Sequence, residues 1–525
     1  METPDQNPIP RLGRLDEYLD WHAARRPTEA AAEENVCGVD WASLRTLVDA
    51  TAAALQECRI QSGQRVAFMG PPGLSYWITF LACQRAGGVW VGLNPQYTAR
   101  ELTHVLTDSK PALVLAAGAS AAISDPANLQ SACQSLGLGP VQLGDSIDEI
   151  ADRIGITSTV PRSADSVARS LGESGVALVV YTSGSTGAPK GALITQTGLI
   201  ENGWWLARRL GLNPHRTLAN LPVNHIGCVG DVCSTALISG GALVFMPKFD
   251  PRAAVEVIRD RQVEWIPQVP AQFQLMVDRG GLGAEDLGQV RCITWGGAPM
   301  PRGLIKKLSG WVPDLFNSYG LTECSGTIAL TQPGDGLDVL ADTVGAPVAP
   351  GLVAVTDEAG RPCAQDECGE IRIRGKHLFH GYLDNPSATR QTLTEDGWLR
   401  TGDLGAMDGH GNLRLLGRTH EMFKSGGYNV YPREIESVIE DLPEVSLCAV
   451  VSVPDDLWQE VGVAVVQADP SRVSPQDIET HCRQFLARYK VPKRFVVRNE
   501  LPLLPVGKVD KSRLTDEVQK IDDAT

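Results

Sequence analysis

The sequence predicts an α/β protein with a large N-terminal region of layered sheets and a separate, smaller α+β domain. Helix and strand patterns alternate over roughly the first 170 residues and again from 176 to about 350, which is typical of a largely parallel sheet covered by helices. Beyond Arg418, strand patterns surround one helix in residues 421–525. Of the 525 residues, 43 % are apolar and 21 % are charged, so a sizeable buried core is expected.

Individual elements follow from the spacing of apolar residues. In the N-terminal part, this spacing predicts helices over 41–58 and 77–86 and strands over 65–70, 88–95, 111–117 and 176–181. Residues 119–173 are rich in Ser, Ala, Gly and Asp, so we interpret them as a surface insertion. Short β-like segments are expected within 352–404. In the last domain, we expect strands over 447–453, 461–466 and 495–497 and a helix over 475–489.

Charge and cysteine usage narrow the possible partners. The 47 basic and 62 acidic residues give a net charge of −15, which repels nucleic acid, so we expect no nucleic-acid partner. No stretch reads as a signal peptide or a transmembrane segment, and we expect a cytoplasmic protein. The twelve cysteines are scattered without a C-x-x-C, so we expect reduced, mostly buried thiols and no zinc. The sequence does not indicate an oligomeric state.

A Gly-rich loop, residues 182–191, follows the strand predicted over 176–181, and we expect a helix after it. Glycines allow close backbone approach, while hydroxyl groups and a lysine can contact oxyanions, so a loop between strand and helix is a usual place for phosphate. These residues are Thr182, Ser183, Gly184, Ser185, Thr186, Gly187, Lys190 and Gly191.

The residues of this loop do not fit three common Gly-containing motifs. A Walker A loop needs Gly directly before its Lys, and this chain has Pro189. The glycines fit no G-x-G-x-x-G, and no G-x-S-x-G surrounds Ser183 or Ser185. A flexible Ser/Gly linker remains as the alternative to a phosphate loop.

At this loop the sequence resembles the adenylate-forming superfamily, which includes acyl- and aryl-CoA synthetases. Further motifs follow in the family's order across residues 60–515: 221–225, 296–299, 317–323, 398–403, 417–418, 424–427, 432–436 and 507–508. The resemblance implies a large N-terminal domain (1–417), a hinge (418–420) and a small mobile C-terminal domain (421–525), with the active site between the domains.

The resemblance also implies which residues hold ATP and Mg²⁺. Glu323 is the expected Mg²⁺ ligand, since this cation prefers one or two carboxylates together with phosphate oxygens. Tyr319 would cover the adenine ring, Asn317 would meet its amino group, and Asp403 would bind the ribose hydroxyls. The other implied nucleotide residues are the phosphate loop, Gly296, Gly297, Ala298, Pro299, Gly320, Thr322 and Arg418.

The implied reaction is an ATP-dependent ligation of a carboxylic acid to coenzyme A, through an acyl-adenylate. Lys508 would bridge the acid's carboxylate and the α-phosphate, His225 would act as a gate near that carboxylate, and Thr182 and Glu323 complete the catalytic set. The small domain would then rotate and present the thiol site with Lys424, Gly426 and Gly427. Two alternatives stay open: an acyl-AMP ligase that loads a carrier protein, and a non-catalytic nucleotide sensor.

The sequence leaves the acid open among fatty, aryl, alicyclic and steroid-type acids. Family members that activate amino acids usually have an Asp in this motif to pair with the α-ammonium group, and residues 224–226 contain none. The resemblance therefore favours a free acyl- or aryl-CoA synthetase over a peptide-synthetase module. By position, the acyl pocket would include His225, Gly227, Gly230, Gly241, 268–272, Trp295, Leu321 and Cys324. Asp231 has two interpretations: recognition of a substrate hydroxyl group, or a helix-capping or solvent-facing role.

Overall fold

The computed structural model describes residues 9–117, 126–143, 175–182, 189–212, 215–419, 421–425, 427–455, 457–503 and 509–522. Most strands arise from short apolar runs rich in Val, Ile and Leu, as the sequence predicts. In chain order, the strands are β1 (Ala30–Glu34), β2 (Cys37–Asp40), β3 (Arg65–Met69), β4 (Val89–Leu93), β5 (Leu113–Ala116), β6 (Val141–Gln142), β7 (Val176–Thr182), β8 (Lys190–Thr195), β9 (Arg216–Ala219), β10 (Ala242–Phe245), β11 (Trp265–Gln268), β12 (Cys292–Gly296), β13 (Asp314–Leu321), β14 (Gly326–Leu330), β15 (Ala346–Pro347), β16 (Val353–Thr356), β17 (Gly369–Ile373), β18 (Leu399–Met407), β19 (Leu413–Arg418), β20 (Phe423–Ser425), β21 (Tyr428–Val430), β22 (Val445–Asp455), β23 (Gln459–Ala468) and β24 (Arg494–Arg498).

Helices cover the sheets, and several begin at polar caps such as Asp40, Thr98 and Asp250. The α-helices are α1 (Leu15–Arg25), α2 (Trp41–Glu57), α3 (Leu74–Arg85), α4 (Ala99–Ser109), α5 (Pro126–Ser135), α6 (Gln196–Arg209), α7 (Thr235–Ser239), α8 (Pro251–Asp260), α9 (Pro270–Asp278), α10 (Arg302–Ser309), α11 (Leu337–Asp342), α12 (Pro386–Thr392), α13 (Pro432–Glu440), α14 (Pro475–Phe485) and α15 (Lys511–Asp522). A π-helix (Gly227–Ser234) leads directly into α7, and short 3₁₀ helices lie at Ala284–Leu287 and Thr322–Cys324. Among the helices of the described ranges, none has both the length and the apolar character to cross a bilayer.

Two large sheets form the N-terminal part and confirm the predicted α/β class. The six-stranded sheet has the order β6-β5-β3-β4-β7-β8 and is parallel except at β7–β8. The nine-stranded sheet has the order β15-β14-β13-β12-β11-β9-β10-β1-β2, and its central six strands, β13 to β1, are parallel. Helices α1, α2, α3, α6 and α7 contribute to the hydrophobic core shared by both sheets.

The helix predicted directly after the Gly-rich loop is wrong. Residues Lys190–Thr195 form β8, which pairs antiparallel with β7, and helix α6 begins only at Gln196. The reason is that β8 buries its Gly191, Ala192 and Ile194 beside the apolar strand β7, so the apolar residues join the sheet. The phosphate loop therefore closes a β-hairpin and does not lie at the N-terminus of a helix.

The surface insertion predicted over 119–173 is wrong for its described part. Helix α5 packs Leu129, Ala132 and Cys133 into the core of the six-stranded sheet, and β6 extends that sheet next to β5. The composition did not indicate a buried helix, because small residues such as Ala and Ser are also able to form a buried helix face. The rest of the predicted insertion lies outside the described residues.

Two smaller sheets complete the fold. Strands β16 to β19 form an antiparallel sheet, and β20 to β24 form a second one, with β24 parallel to β23. The predicted helix over 475–489 ends earlier, at Phe485. The last sheet has a hydrophobic core on each face. All twelve cysteines lie in described ranges and are free, and eight of them are buried.

Candidate active site

The residues expected to contact adenine lie together at the carboxyl ends of two parallel strands. Gly296, at the end of β12, pairs with Ser318 of β13, so the loop 296–299 begins beside Tyr319. A Cβ atom on Gly296 would lie 2.5 Å from the Ser318 hydroxyl oxygen. Any larger residue at Gly296 would therefore displace the Ser318 hydroxyl, which donates to the Trp295 carbonyl oxygen (2.8 Å). Gly297, Ala298 and Pro299 continue that loop.

Asn317 is held with its amide nitrogen turned into the protein. Its Nδ2 atom donates to the carbonyl oxygens of Leu340 (3.1 Å) and Thr343 (2.8 Å), and its backbone N–H donates to the Thr331 hydroxyl oxygen (2.9 Å). Both amide protons are thus used. The side-chain carbonyl oxygen is the group that remains for an amino group, such as that of adenine.

A hydrogen bond and an ion pair link Tyr319, Asp403 and Arg418, and they join the nine-stranded sheet to the sheet β16–β19. The Tyr319 hydroxyl donates to Asp403 Oδ2 (2.5 Å), and Arg418 Nε lies 2.9 Å from Asp403 Oδ1. Asp403 and Arg418 are also paired across β18 and β19. Burial and the neighbouring Asp403 hold the pKa of Tyr319 well above its ordinary value, so Tyr319 stays a donor at neutral pH.

The Tyr319–Asp403–Arg418 chain places three of the expected nucleotide residues in one cluster. Asp403 is only 5 % exposed, and each of its carboxylate oxygens already accepts from one protein group. A carboxylate oxygen has a second lone pair, so ribose hydroxyls would add to these bonds without displacing them. The geometry fits the expected ribose ligand.

Tyr382 lies between the expected metal ligand and the expected phosphate-binding lysine. Its hydroxyl donates to Glu323 Oε1 (2.7 Å), and the Lys190 ammonium nitrogen lies 5.5 Å from the centre of its ring. Burial and the negative charge of Glu323 raise the pKa of Tyr382 above its ordinary range. Glu323 is therefore oriented by a neutral donor, and its second oxygen fits a hard cation.

Backbone hydrogen bonds tie this region together through the segment 379–383. The Phe379 N–H donates to the Glu323 carbonyl oxygen (2.9 Å). Three further bonds of 2.8 to 2.9 Å join the segment to β8, namely Leu193 to Gly381, His380 to Leu193, and Leu383 to Gly191. The segment 379–383 thus supports both β8, the strand after the phosphate loop, and the turn that carries Glu323.

Helix α4 anchors both ends of the phosphate hairpin. Tyr181 donates to Asp108 Oδ2 (2.7 Å) before the loop, and His104 Nε2 donates to the Pro189 carbonyl oxygen (3.0 Å) after it. Thr182 and Lys190 face each other as the last described pair of the hairpin. The loop residues Ser183, Gly184, Ser185, Thr186 and Gly187 lie outside the described residues.

Close backbone contacts shape the turn that carries Thr322 and Glu323. The Ser325 N–H donates to the Thr322 carbonyl oxygen (3.0 Å). A Cβ atom on Gly320 would overlap the backbone of Gly326, so only glycine allows β13 and β14 to cross there. Gly320 and Thr322 therefore support the position of Glu323. We call Glu323, Tyr382, Tyr319, Asp403 and Arg418 together the nucleotide cluster.

His225 is the first residue of the segment expected to line the acyl pocket, and it is partly exposed. The Gly227 N–H donates to His225 Nδ1 (3.1 Å), which makes Nδ1 the acceptor nitrogen of the ring. Two expected pocket residues are enclosed by neighbouring side chains, since Trp295 is 1 % and Cys324 is 0 % exposed, each within a core. Gly241 packs against His215, and Gln268 Nε2 donates to Asn220 (2.6 Å).

Two of the expected thiol-site residues, Lys424 and Gly427, lie on the hairpin of β20 and β21. The Lys424 side chain is exposed, and its backbone N–H donates to Glu460 (3.3 Å). Gly427 has φ +84°, and a Cβ atom there would meet nothing within 4 Å. Glycine is thus required by conformation and not by crowding. Gly426 and Lys508 lie outside the described residues.

Sequence reasoning missed Tyr382 and the partners of Asp231. Tyr382 is 59 residues from Glu323 along the chain, and no spacing links them. Asp231 Oδ1 accepts from Asn202 Nδ2 (3.0 Å) and from the Thr327 N–H (2.9 Å). Neither contact left a signal in the sequence, because each depends on how distant elements pack.

Comparison with known proteins agrees with this geometry. The model of the AMP-binding enzyme family matches residues 19–383, and that of the AMP-binding enzyme C-terminal domain matches 434–508. The chain is 31 % identical over 498 residues to feruloyl-CoA synthase of Amycolatopsis sp, covering 94 % of this chain and 96 % of that protein. It is 32 % identical over 519 residues to indoleacetate–CoA ligase of Aromatoleum aromaticum, covering 97 % and 98 %.

A solved structure gives the same result. The crystal structure of ATP-bound MatB from Rhodopseudomonas palustris superposes with a TM-score of 0.84 at 27 % identity, covering 97 % of this chain and 99 % of that one. These findings confirm the prediction of an adenylate-forming, AMP-producing acid–thiol ligase that uses ATP, Mg²⁺ and coenzyme A with a small-molecule carboxylic acid. The chain belongs to the family of AMP-binding enzymes.

Proposed function

We propose that this enzyme activates an aryl or arylalkanoic acid and transfers the acyl group to coenzyme A. The observation that carries the proposal is the Tyr319–Asp403–Arg418 chain, with Tyr382 and Glu323 beside it, because it forms one preassembled nucleotide site. The aryl class is supported by the two relatives named above, whose names specify feruloyl and indoleacetate groups.

In the first half-reaction, the acid's carboxylate oxygen attacks the α-phosphorus of ATP, and pyrophosphate leaves. Asp403 holds the ribose, while Asn317 and the loop 296–299 hold the adenine. Thr182, Lys190 and the phosphate loop hold the phosphate oxygens, and Lys508 stabilises the charge that develops between carboxylate and phosphate. A Mg²⁺ ion at Glu323 would neutralise charge on the phosphates.

In the second half-reaction, the sulfur of coenzyme A attacks the acyl carbon, and AMP leaves. We propose that the domain 421–525 rotates about residues 418–420 against the domain 1–417, so that the Lys508 segment is exchanged for the hairpin of Lys424, Gly426 and Gly427. The exposure of Lys424 and Gly427 supports a role that begins only after such a rotation.

The test is pyrophosphate release from Mg-ATP over a panel of aryl, fatty, alicyclic and steroid-type acids, each with and without coenzyme A. We expect sustained release with aryl acids only when coenzyme A is present. A single burst that ignores coenzyme A would favour a carrier-protein acceptor. Absence of pyrophosphate release with every acid would contradict the proposed function and favour a nucleotide sensor.

Lysine substitutions provide the matched control for the residue assignment. In Lys508→Ala we expect adenylation to fall by about 10²–10³-fold, the usual loss when one charge-stabilising group is removed. Lys306→Ala removes an exposed lysine of α10 and should leave the rate unchanged. Full adenylation by Lys508→Ala would refute its assignment.

We also propose a cytoplasmic location. Twelve free cysteines, eight of them buried, are typical of proteins kept in a reducing compartment. Cell fractionation with a tagged chain tests this, and recovery from an oxidising compartment would contradict it.

A further inference from the structure

The π-helix Gly227–Ser234 is buried along most of its length but open on one face. Within it, only Gly227 and Asp231 are partly exposed. They lie four residues apart, about one helical turn, and come two and six residues after His225. The exposed edge of Asp231 therefore continues the face on which the acid is proposed to bind.

Asp231 neither caps a helix nor lies free in solvent. It stands in the middle of the π-helix, and its carboxylate accepts from other elements, Asn202 of α6 and Thr327 of β14. Both bonds end on Oδ1, and the Thr327 hydroxyl also favours the charged form. The helix-capping interpretation of Asp231 is thus wrong, while its second oxygen, Oδ2, keeps to the partly exposed side of the residue.

Asn202 leaves a buried acceptor without a partner. The residue is 2 % exposed, and its Oδ1 atom has no hydrogen-bond partner among the described residues. Its Nδ2 donates to Asp231, so the amide oxygen faces away from that bond. An unpaired buried acceptor is costly, which indicates a donor that the chain itself does not supply.

Glycines bring the Asn202–Asp231 pair close to the nucleotide cluster. A Cβ atom on Gly326 would overlap Asn202 Nδ2 and Asp231 Oδ1, and one on Gly230 would lie 2.5 Å from the Ser325 carbonyl oxygen. Gly326 is three residues after Glu323. The pair thus contacts the start of β14, the strand that follows the turn carrying Glu323.

The pair combines a carboxylate with an amide oxygen, so it selects hydrogen-bond donors. Burial raises the pKa of Asp231 to about 6, although the hydrogen bonds from Asn202 and Thr327 act to lower it. At neutral pH the carboxylate is still mostly charged and remains an acceptor. A purely structural role would be met by an uncharged side chain at lower cost.

We propose that Asn202 and Asp231 recognise a hydroxyl group on the acid substrate. This inference rests on the proposed function and adds a substrate class to it, namely hydroxylated aryl acids. The hydroxyl donates to the acceptors of the pair, whereas a methyl ether at the same position has no proton to donate.

The test compares 3-phenylpropenoic acid with its ring-hydroxy and ring-methoxy derivatives in the pyrophosphate assay with coenzyme A. The wild-type kcat/KM is expected to favour one hydroxy acid over its methoxy analogue by about 10- to 100-fold, the factor given by a hydrogen bond to a charged group. Equal kcat/KM values for both would overturn the inference but leave the proposed function intact. Inactivity with every acid would contradict the proposed function instead.

Asp231→Asn is the decisive variant. Because both bonds end on Oδ1, the amide oxygen of Asn can keep them while the other position becomes a donor. The preference should then fall to about one or reverse toward the methoxy acid. Equal losses on hydroxy, methoxy and unsubstituted acids would instead show a structural role for Asp231 and overturn the inference.

Two further variants keep the test valid if Asp231→Asn folds poorly. Asn202→Ala removes the unpaired acceptor and should also reduce the hydroxyl preference, by about threefold or more. Asp338→Asn changes an aspartate whose side chain is 88 % exposed and should leave the preference unchanged. A full hydroxyl preference in Asn202→Ala would contradict the role of the pair.

Discussion

The nucleotide cluster and the thiol-site hairpin differ in how their side chains are held. Tyr319, Asp403 and Arg418 bind one another within 2.9 Å, and Tyr382 holds Glu323 in the same way. By contrast, Lys424 and Gly427 of the hairpin are both exposed. The proposed nucleotide site is thus held together by its own contacts, whereas we expect the proposed thiol site to form only after the proposed rotation.

The largest effect should follow from breaking the nucleotide cluster at its centre. Asp403→Ala removes the acceptor of Tyr319 and the partner of Arg418, so we expect kcat/KM for ATP in adenylation to fall about 100-fold or more. Asp408→Ala, in the β18–β19 turn, removes an aspartate that accepts only within that turn. If both variants lost ATP turnover equally per folded enzyme, the cluster would have no special role.

A smaller effect is expected from Tyr382→Phe, which removes one hydrogen bond to Glu323. The Mg²⁺ concentration for half-maximal pyrophosphate release should rise about tenfold, since bonds to charged groups contribute ~1.5–3 kcal/mol. Tyr428→Phe makes the same change on the exposed hairpin, where the ring stacks on Tyr489 at 4.6 Å. It should leave the Mg²⁺ requirement unchanged. An unaltered requirement in Tyr382→Phe would remove Tyr382 from the site.

The hairpin itself is tested with two glycines of similar conformation. Gly427 (φ +84°) and Gly63 (φ +80°) both have open space around a Cβ atom, so alanine at either costs about 1–2 kcal/mol of backbone strain. Both variants should lose similar stability on thermal melting. We expect Gly427→Ala alone to slow thioester formation severalfold while sparing adenylation; parallel losses in Gly63→Ala would contradict this.

The smallest effect concerns the pH dependence of stability at Asp231. Its folded pKa of about 6 lies above the ordinary 3.8, so the charged form is disfavoured in the fold. The wild type therefore loses stability relative to Asp231→Asn as pH rises from about 4 to 6, with no further change above. The difference in Tm should amount to a few degrees. A difference that is constant from pH 4 to 8 would contradict the raised pKa.

Much of the fold was predictable because single segments carry the signal. Residues 66–69 and Val89–Leu93 are continuous apolar runs, and Trp41–Glu57 has clear helical spacing. Strand β8 was not predictable in this way, since Lys190–Thr195 becomes a strand only through its pairing with β7. A local sequence pattern does not show which strand a segment will pair with, and here that pairing determines the secondary structure.

The candidate site likewise combines residues that sequence motifs identify with contacts that only tertiary packing creates. Glu323, Asp403 and Tyr319 were identified by resemblance, and the structure places Tyr319 and Asp403 in contact. The bonds from Tyr382 to Glu323 and from Asn202 to Asp231 join residues 59 and 29 positions apart. They depend on tertiary packing, so neither residue type nor spacing predicted them.

The shared support of the phosphate hairpin and Glu323 has a consequence for the ligand-free enzyme. Because the segment 379–383 bonds both to β8 and to the Glu323 backbone, the distance between the two phosphate-facing elements is set before any nucleotide arrives. Binding then loses little conformational entropy in this part of the protein. Amide protons of Leu193 and Leu383 should accordingly exchange slowly with deuterium even without ATP.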